Sequence, residues 1–411
     1  HNAQPHNVYL AQYWQNWYAT RVSEFTGRYN RSIVQAFRSL QDQNALEVIT
    51  CGATHGYFPL LGDDRSVALQ VKAAVENYQK HFGKSPRGAW LPECAYRPSY
   101  PWQTYIPVEK FNKPRKRAGV EEILSDFGIE FFFVDQQPTA DGKPLGVLKD
   151  GALVPTWAKE YIPKRNSFDR TPLSLYNVRS EQPAFSGGTS IAFTRHQKVA
   201  MQVWSGDSGY PGDPAYLDFH KKHFTSALRY WRVTDNKADM MYKMLYVPDW
   251  IPEKIDTHAF HFIKSIETTL LNYRQQTGKT GTLCTPFDTE LFGHWWFEGP
   301  QFVKSILRGL HHSPYVKVVT ASEQIDYTKP DEVMAIPESS WGRGGHHDVW
   351  IGDDTKWTWE VIYKNEVRFG SLIEQFPPDK MNVVMRRILT QALRELMLLQ
   401  ASDWQFLIST F

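Results

Sequence analysis

Ala89-Trp90-Leu91-Pro92-Glu93-Cys94-Ala95-Tyr96-Arg97-Pro98 sets the fold class. Ala89-Trp90-Leu91 reads as a short buried strand. It ends at proline, and a carboxylate follows inside an aromatic frame. Upstream, Leu46-Glu47-Val48-Ile49-Thr50-Cys51 reads as another buried strand. It runs into the tight turn Gly52-Ala53-Thr54-His55-Gly56. Residues 66–82 between them carry the period of an amphipathic helix. Downstream come a helix near Gly119–Phe127 and the strand Phe131-Phe132-Phe133-Val134. Strand, helix, strand, helix, strand, with polar residues at the strand ends, predicts an α/β barrel or a parallel sheet.

Before this core, Leu10, Tyr13, Trp17, Val22, Phe25, Tyr29, Ile33 and Phe37 approximate a 3.6-residue period, which predicts helix over Val8–Gln43. Residues 136–200 lose periodicity and are rich in Gly, Pro, Ser and Lys, the signature of an inserted, partly mobile subdomain. A structured loop over Asp207–Asp218, a helix near Thr257–Gln275 and a strand Gly281–Pro286 leading to Asp288 follow. Beyond Asp353 the pattern is helical, and no internal repeat is visible. The expected division is residues 1–135 and 201–352 as two parts of a catalytic barrel, 136–200 as the insert, and 353–411 as a C-terminal helical domain.

With 411 residues the chain can bury a large core and carry added domains. Its formal charge of +2 gives no reason to expect nucleic acid or an acidic membrane as partner. No apolar run is long enough to span a bilayer, and the first residues are polar rather than a signal peptide. Cys51, Cys94 and Cys284 are three in number and widely spaced. They suit reduced thiols in a cytoplasmic protein better than a disulfide framework or a zinc motif.

Glu93 has a counterpart in Asp288, within Pro286-Phe287-Asp288-Thr289-Glu290-Leu291-Phe292-Gly293-His294-Trp295-Trp296-Phe297-Glu298-Gly299-Pro300. Acid chemistry on a sugar needs two carboxyl groups flanking a glycosidic bond. Sugar rings in turn need aromatic faces, and 14% of this chain is aromatic, with 15 Trp. A single carboxylate at a strand end is more often a cap or an ion-pair partner. Two, each framed by aromatics, favour a site. Glu290 and Glu298 are rival acids, with Glu298 expected to cap the helix that Gly299-Pro300 opens. His55, at a strand end, suits sugar hydroxyls as well as a structural role. The adjacent pairs His311-His312 and His346-His347 diverge and do not suggest a metal. Ser340-Trp341-Gly342-Arg343-Gly344-Gly345 lacks the lysine of a phosphate loop and fits a sugar-stacking indole on a tight turn.

Together these segments resemble glycoside hydrolase family 57, and within it the 1,4-α-glucan branching members. Cys51–Gly56 with Pro59-Leu60-Leu61, Trp90–Pro98, Phe287–Pro300 and Ser340–Gly345 look like its second to fifth conserved regions. Val203-Trp204-Ser205, Gly209–Gly212, Tyr230-Trp231-Arg232-Val233-Thr234 and Ala401-Ser402-Asp403-Trp404 are similar to branching members in particular. The resemblance implies a (β/α)7-type barrel, here incomplete, with an inserted subdomain and a C-terminal α-helical domain. It implies Glu93 as nucleophile and Asp288 as general acid/base of a retaining transglycosylase. That reaction cleaves an α-1,4 bond and re-forms it as an α-1,6 branch, with no metal and no organic cofactor. The implied substrate-binding residues are His55, Trp90, Trp204, Trp295, Trp341, Trp350, Asp403 and Trp404, and the implied partner is an α-glucan.

Two departures accompany the resemblance. The family's initial His-x-His motif is not found, since His1 and His6 are five apart, so the first barrel strand is expected to be missing. The tyrosine that branching members carry on a mobile loop is absent from Gln136–Leu148, and Tyr161 is the next in the chain. Water entry there would favour hydrolysis over transfer. The alternatives are therefore an amylase-like hydrolase or 4-α-glucanotransferase of the same family, a non-catalytic glucan-binding protein, or a metal-dependent polysaccharide deacetylase.

Overall fold

The computed structural model describes residues 5–160, 170–185, 188–235 and 237–410. Along them the helices are α1 (Pro5–Ser23), α2 (Ile33–Asp42), α3 (Asp64–Phe82), α4 (Val120–Asp126), α5 (Gln136–Ala140), α6 (Gln197–Trp204), α7 (Ile251–Thr277), α8 (Gly299–His311), α9 (Ala321–Tyr327), α10 (Lys356–Gln375), α11 (Val383–Leu399) and α12 (Asp403–Thr410). The strands are β1 (Gly88–Ala89), β2 (Pro101–Trp102), β3 (Arg115–Lys116), β4 (Phe131–Val134), β5 (Lys143–Lys149), β6 (Ala152–Pro155), β7 (Tyr176–Val178), β8 (Ser190–Thr194) and β9 (Glu332–Ala335). Two compact units result: His1–Gln43 with Arg195–Val319, and Asn44–Thr194 with Thr320–Phe411.

The second unit holds a seven-stranded sheet in the order β1-β4-β8-β7-β9-β5-β6. β1, β4 and β8 run parallel, and Thr50 extends the parallel run by one bridge to Ala89. β7 is antiparallel to β8 and parallel to β9, and β5 is antiparallel to both β9 and β6. β2 and β3 form a separate antiparallel pair. The fold is therefore mixed α/β, with a central sheet and the C-terminal helical region α10–α12.

Local chemistry explains the parallel core. Asp63 caps α3 by accepting from Arg65 N at 2.9 Å, and Gly83 ends it in the left-handed conformation. Val67, Val71, Ala74, Val75 and Tyr78 give α3 its buried face. Gly119 opens α4, and its N–H donates to the Glu122 carboxylate at 2.9 Å. β4 is a run of aromatic and β-branched residues between two parallel neighbours, as a strand covered on both faces requires. Gly88 in β1 lies under the Phe131 ring, where a Cβ would fall 2.0 Å from Cε2. A side chain at that position would push β1 off β4.

In the first unit, α7 packs against α8. Ile263 sits over Gly309 so closely that a Cβ there would meet it at 2.3 Å. Leu10, Trp14, Tyr216, Tyr246 and Trp296 join α7 and α8 in that unit's core.

Several elements differ from the sequence expectation. The single helix over Val8–Gln43 is broken: α1 ends in the π-turn Glu24–Arg28, Asn30 and Arg31 take positive φ, and Ser32 caps α2. Asn30 adopts the left-handed conformation at little cost, and the Ser32 cap starts a new helix. Of the apolar stripe Leu10 is buried, with Trp14 beside it, whereas Val22, Phe25, Ile33 and Phe37 are exposed. Leu46–Cys51 and Gly281–Pro286 are extended segments, each tied to a neighbour by one bridge, Thr50 to Ala89 and Cys284 to Arg195. α7 starts earlier than expected, at Ile251. Residues 136–200, expected as an inserted, partly mobile subdomain, supply four strands of the sheet, β5 to β8. The three cysteines form no disulfide with one another; Cys94 is buried and Cys51 and Cys284 are half-buried. Among the described residues, no helix is long and apolar enough to cross a membrane.

Candidate active site

In the second unit the chain leaves β1, passes Leu91 and turns sharply. Pro92, Glu93 and Cys94 form a short 3-10 turn in which Glu93 (φ 59°, ψ 27°) and Cys94 (φ 52°) are both left-handed. Two such non-glycine residues in succession cost roughly 1–2 kcal/mol each. The turn is held by Cys94 N to Leu91 O at 2.8 Å and by the buried Cys94 thiol against Phe133 O at 3.5 Å. The Glu93 side chain that leaves this turn meets Trp341, Ser402 and His55.

Three donors meet that carboxylate. Trp341 Nε1 donates to Oε2 at 3.0 Å, and Ser402 Oγ donates to Oε1 at 2.8 Å. His55 Nε2 lies 3.6 Å from Oε1, an ion-pair distance rather than a close hydrogen bond. Burial favours the neutral acid, but the contacts with His55, Trp341 and Ser402 outweigh it, so the Glu93 pKa is lowered. Burial likewise opposes charge on His55. The hydrogen bond to Cys51, with Sγ 3.4 Å from Nδ1, and the pairing with Glu93 overcome it and raise the imidazole to about 10. At neutral pH the site therefore holds an ionised carboxylate beside an imidazolium.

Each donor is fixed by its own segment. His55 has φ 58° in the turn after Gly52. Gln70 of α3 brackets that turn, accepting from Thr54 N at 2.9 Å and donating to Thr54 Oγ1 at 2.8 Å. The Thr54 hydroxyl bonds Met397 O of α11, and Ser402 N donates to His55 O at 3.0 Å. The α11–α12 junction is thereby stitched to the His55 turn, which brings Ser402, fully buried, to Glu93. Trp341 is anchored by its backbone N–H to Glu93 O at 3.2 Å. Its ring leans on half-buried Trp90 with centroids 4.9 Å apart. The loop closes on itself through Ser340 N to Gly345 O at 3.0 Å, with Gly344 and Gly345 at positive φ, where glycine is favoured.

In the first unit, Asp288 follows the extended segment 281–286 and is half-buried at the head of the turn Thr289–Leu291. Trp204, which closes α6, and the 37%-exposed Trp295 stand edge to face with centroids 6.4 Å apart. Glu290 is exposed. Glu298 stands at the N-cap position of α8 but makes no cap bond with its side chain. It is buried and accepts from Tyr246 Oη at 2.7 Å and Leu217 N at 3.0 Å. Burial raises its carboxyl to about 6. Its role is to join the Leu217 and Tyr246 segments, and the capping expectation is corrected accordingly.

The remaining expected residues divide. Trp350, expected to bind substrate, is only 2% exposed and stacks on Tyr57 with centroids 4.4 Å apart, so it has no face to offer a sugar. Asp403 is exposed on the first turn of α12. Trp404 is exposed, and its indole N–H is spent on Leu398 O at 2.9 Å. The stretch 136–148, expected as a mobile loop, forms α5 and most of β5. Tyr161 and His1 lie outside the described residues. Among those described, no three His, Cys, Asp or Glu side chains group as a metal site.

A family model for glycosyl hydrolase family 57 matches residues 4–337, most of the chain. The chain belongs to glycosyl hydrolase family 57. A second model, for the C-terminal part of 1,4-alpha-glucan branching enzymes, matches residues 361–411. A curated 1,4-alpha-glucan branching enzyme of Thermococcus kodakarensis is 36% identical over 96% of the chain. The chain spans 54% of that enzyme's length. Among solved structures, a family 57-type branching enzyme of Pyrococcus horikoshii matches with a TM-score of 0.86 at 36% identity. It covers all of this chain and 68% of its own. The alpha-amylase AmyC of Thermotoga maritima matches at 0.77 and 27% identity, over all of this chain and 71% of its own.

Sequence reasoning missed Ser402 as a contact of Glu93. Its signal was present, because the serine sits inside the quoted motif Ala401–Trp404, but the acid and the indole beside it drew the expectation. It also missed that Cys51 holds the far nitrogen of His55. The two are four positions apart, and only the Gly52–Gly56 turn makes them neighbours.

Proposed function

We propose that the chain is the catalytic part of a 1,4-α-glucan branching enzyme acting by retention. Glu93 attacks the anomeric carbon of an α-1,4-linked glucan, and its C–O bond forms as the bond to the leaving oxygen breaks. Asp288 gives that oxygen its proton. The resulting carboxylate of Asp288 then takes the proton of an incoming glucan 6-hydroxyl, whose oxygen displaces Glu93 and leaves an α-1,6 branch. His55, Trp341 and Ser402 keep Glu93 ionised and oriented. Trp90, Trp341, Trp204 and Trp295 supply aromatic faces for the glucan. The substrate is an α-glucan such as amylose, and the reaction uses no cofactor.

The observation that carries this reading is the bond from Ser402 to Glu93. Ser402 lies within the segment matched by the branching-enzyme C-terminal model. The segment that resembles the C-terminal part of branching enzymes therefore contributes a donor to the carboxylate proposed to react. The parallel run Thr50, β1, β4, β8, with α3 and α4 as crossovers, supports one arc of a (β/α)7-type barrel.

Hydrolysis is the second reading, resting on the absence of tyrosine from residues 136–148, although the likeness to the Thermotoga amylase, at 27% identity, is weaker than that to the Pyrococcus branching enzyme, at 36%. Incubation with amylose separates the two. The branching reading predicts α-1,6 anomeric protons in the NMR spectrum with few new reducing ends. Reducing ends without branch points would replace it with hydrolysis.

A further inference from the structure

The Trp341 loop is bound at both ends by a buried polar chain that the reaction itself does not use. Tyr57 lies two residues after His55 and is fully buried. Its hydroxyl is 2.7 Å from His347 Nδ1. His347 Nε2 is 2.8 Å from Glu338 Oε1, and the other oxygen of Glu338 accepts from Tyr100 Oη. Glu338 precedes Trp341 by three residues and His347 follows it by six. The direction of the chain is fixed by its acceptors. A carboxylate only accepts, so Nε2 of His347 carries a proton. In the neutral imidazole, Nδ1 is then left to accept the Tyr57 hydroxyl proton.

The chain therefore ties the two feet of the loop to each other and to the turn that carries His55. Backbone pairing continues the same clamp. Ser339 exchanges two bonds with Tyr96, at 2.9 and 3.0 Å, and Trp350 N donates to His347 O at 2.8 Å. Between these feet the indole N–H of Trp341 must hold a fixed distance to Glu93 Oε2, since a hydrogen bond weakens steeply when misaligned.

We propose that Tyr57, His347 and Glu338 are positioning residues for the reaction, acting on Glu93 through the Trp341 indole. This rests on the reading of Glu93 as the reacting carboxylate. None of the three touches substrate in this account; they set where one donor of the nucleophile stands.

A double-mutant cycle tests it. Tyr57→Phe keeps the ring stacked on Trp350 and removes only the hydroxyl. It is expected to lower kcat for amylose branching about fivefold to twentyfold, as loss of one buried hydrogen bond would, with KM unchanged within about twofold. In a Trp341→Phe background the same change is expected to do almost nothing, because the path to Glu93 is already cut. Glu338→Gln, which breaks the other link, is expected to show the same coupling, and a thermal melt of each variant reports folding separately. Equal losses in both backgrounds, or an unchanged kcat for both variants, would overturn the positioning role while leaving Glu93 in place. Parent-level turnover by Glu93→Gln would instead overturn the assignment of Glu93, and the positioning role with it.

Discussion

Glu93 sits where burial and hydrogen bonding oppose each other. Burial favours the neutral acid, the three donors favour the carboxylate, and the donors prevail. The sign of the pH dependence follows. A carboxylate with a lowered pKa keeps its advantage above its ordinary value and loses it as pH falls through the lowered one. The raised imidazole keeps its charge at neutral pH and loses it only as pH climbs through about 10. His55→Gln removes the positive partner. It is expected to move the acid limb of kcat/KM to higher pH, a shift that a pH–rate profile reads directly. An unmoved limb would mean that His55 does not set the ionisation of Glu93. Ser402→Ala removes one donor to Oε1 and leaves the imidazolium. It is expected to shift the limb in the same direction by less, and to lower kcat by about tenfold, the scale of one hydrogen bond to a charged group.

At the scale of elements, the Trp341 loop depends on a small residue next to a large one. A Cβ on Gly342 would fall 2.7 Å from Cζ3 of the buried Trp350 ring. Gly342→Ala is expected to destabilise the protein by about 1–3 kcal/mol, in line with overpacking elsewhere. A lowered melting temperature together with a reduced kcat would tie loop packing to the site, whereas an unchanged melt would show that Trp350 yields freely. The same loop shows what the sequence could and could not reveal. Trp341 was legible because an indole amid glycines has few structural uses. Trp350 carried a similar signal and is core, because only the fold reveals the Tyr57 ring that covers it. α3, α4 and β4 were legible almost to the residue, since caps and period agree over each. The break between α1 and α2 was not. Apolar periodicity continued across it, while the left-handed Asn30 and the Ser32 cap decided the backbone. The sheet strands within 136–200 were hidden for another reason. β8 pairs with β4, and β5 and β7 pair with β9, outside that stretch, and pairing at long range leaves no local period.

At the scale of the whole molecule, buried acids make stability depend on pH. Glu366 of α10 accepts from Gly62 N at 2.8 Å and from Gln400 Nε2 at 2.9 Å, joining three distant stretches of the second unit. Burial raises its carboxyl to about 7, so between its ordinary value and 7 the folded state holds a proton that the unfolded state releases. Stability from this group therefore falls as pH rises through that window, by roughly 3 kcal/mol over about 2.5 pH units. Glu366→Gln is expected to flatten the melting temperature between about pH 4.5 and 7, and an equal slope in parent and variant would remove Glu366 as its source. In the proposed reaction Glu93 forms the glycosyl bond while Asp288 handles the protons. An activated α-maltosyl fluoride needs no acid to leave, whereas release of the sugar from the enzyme needs the base. Asp288→Ala incubated with that donor is therefore predicted to accumulate a maltosyl adduct, detectable by intact mass and mapped by peptide sequencing to Glu93. An adduct on another carboxylate, or steady fluoride release with no adduct at all, would contradict the account.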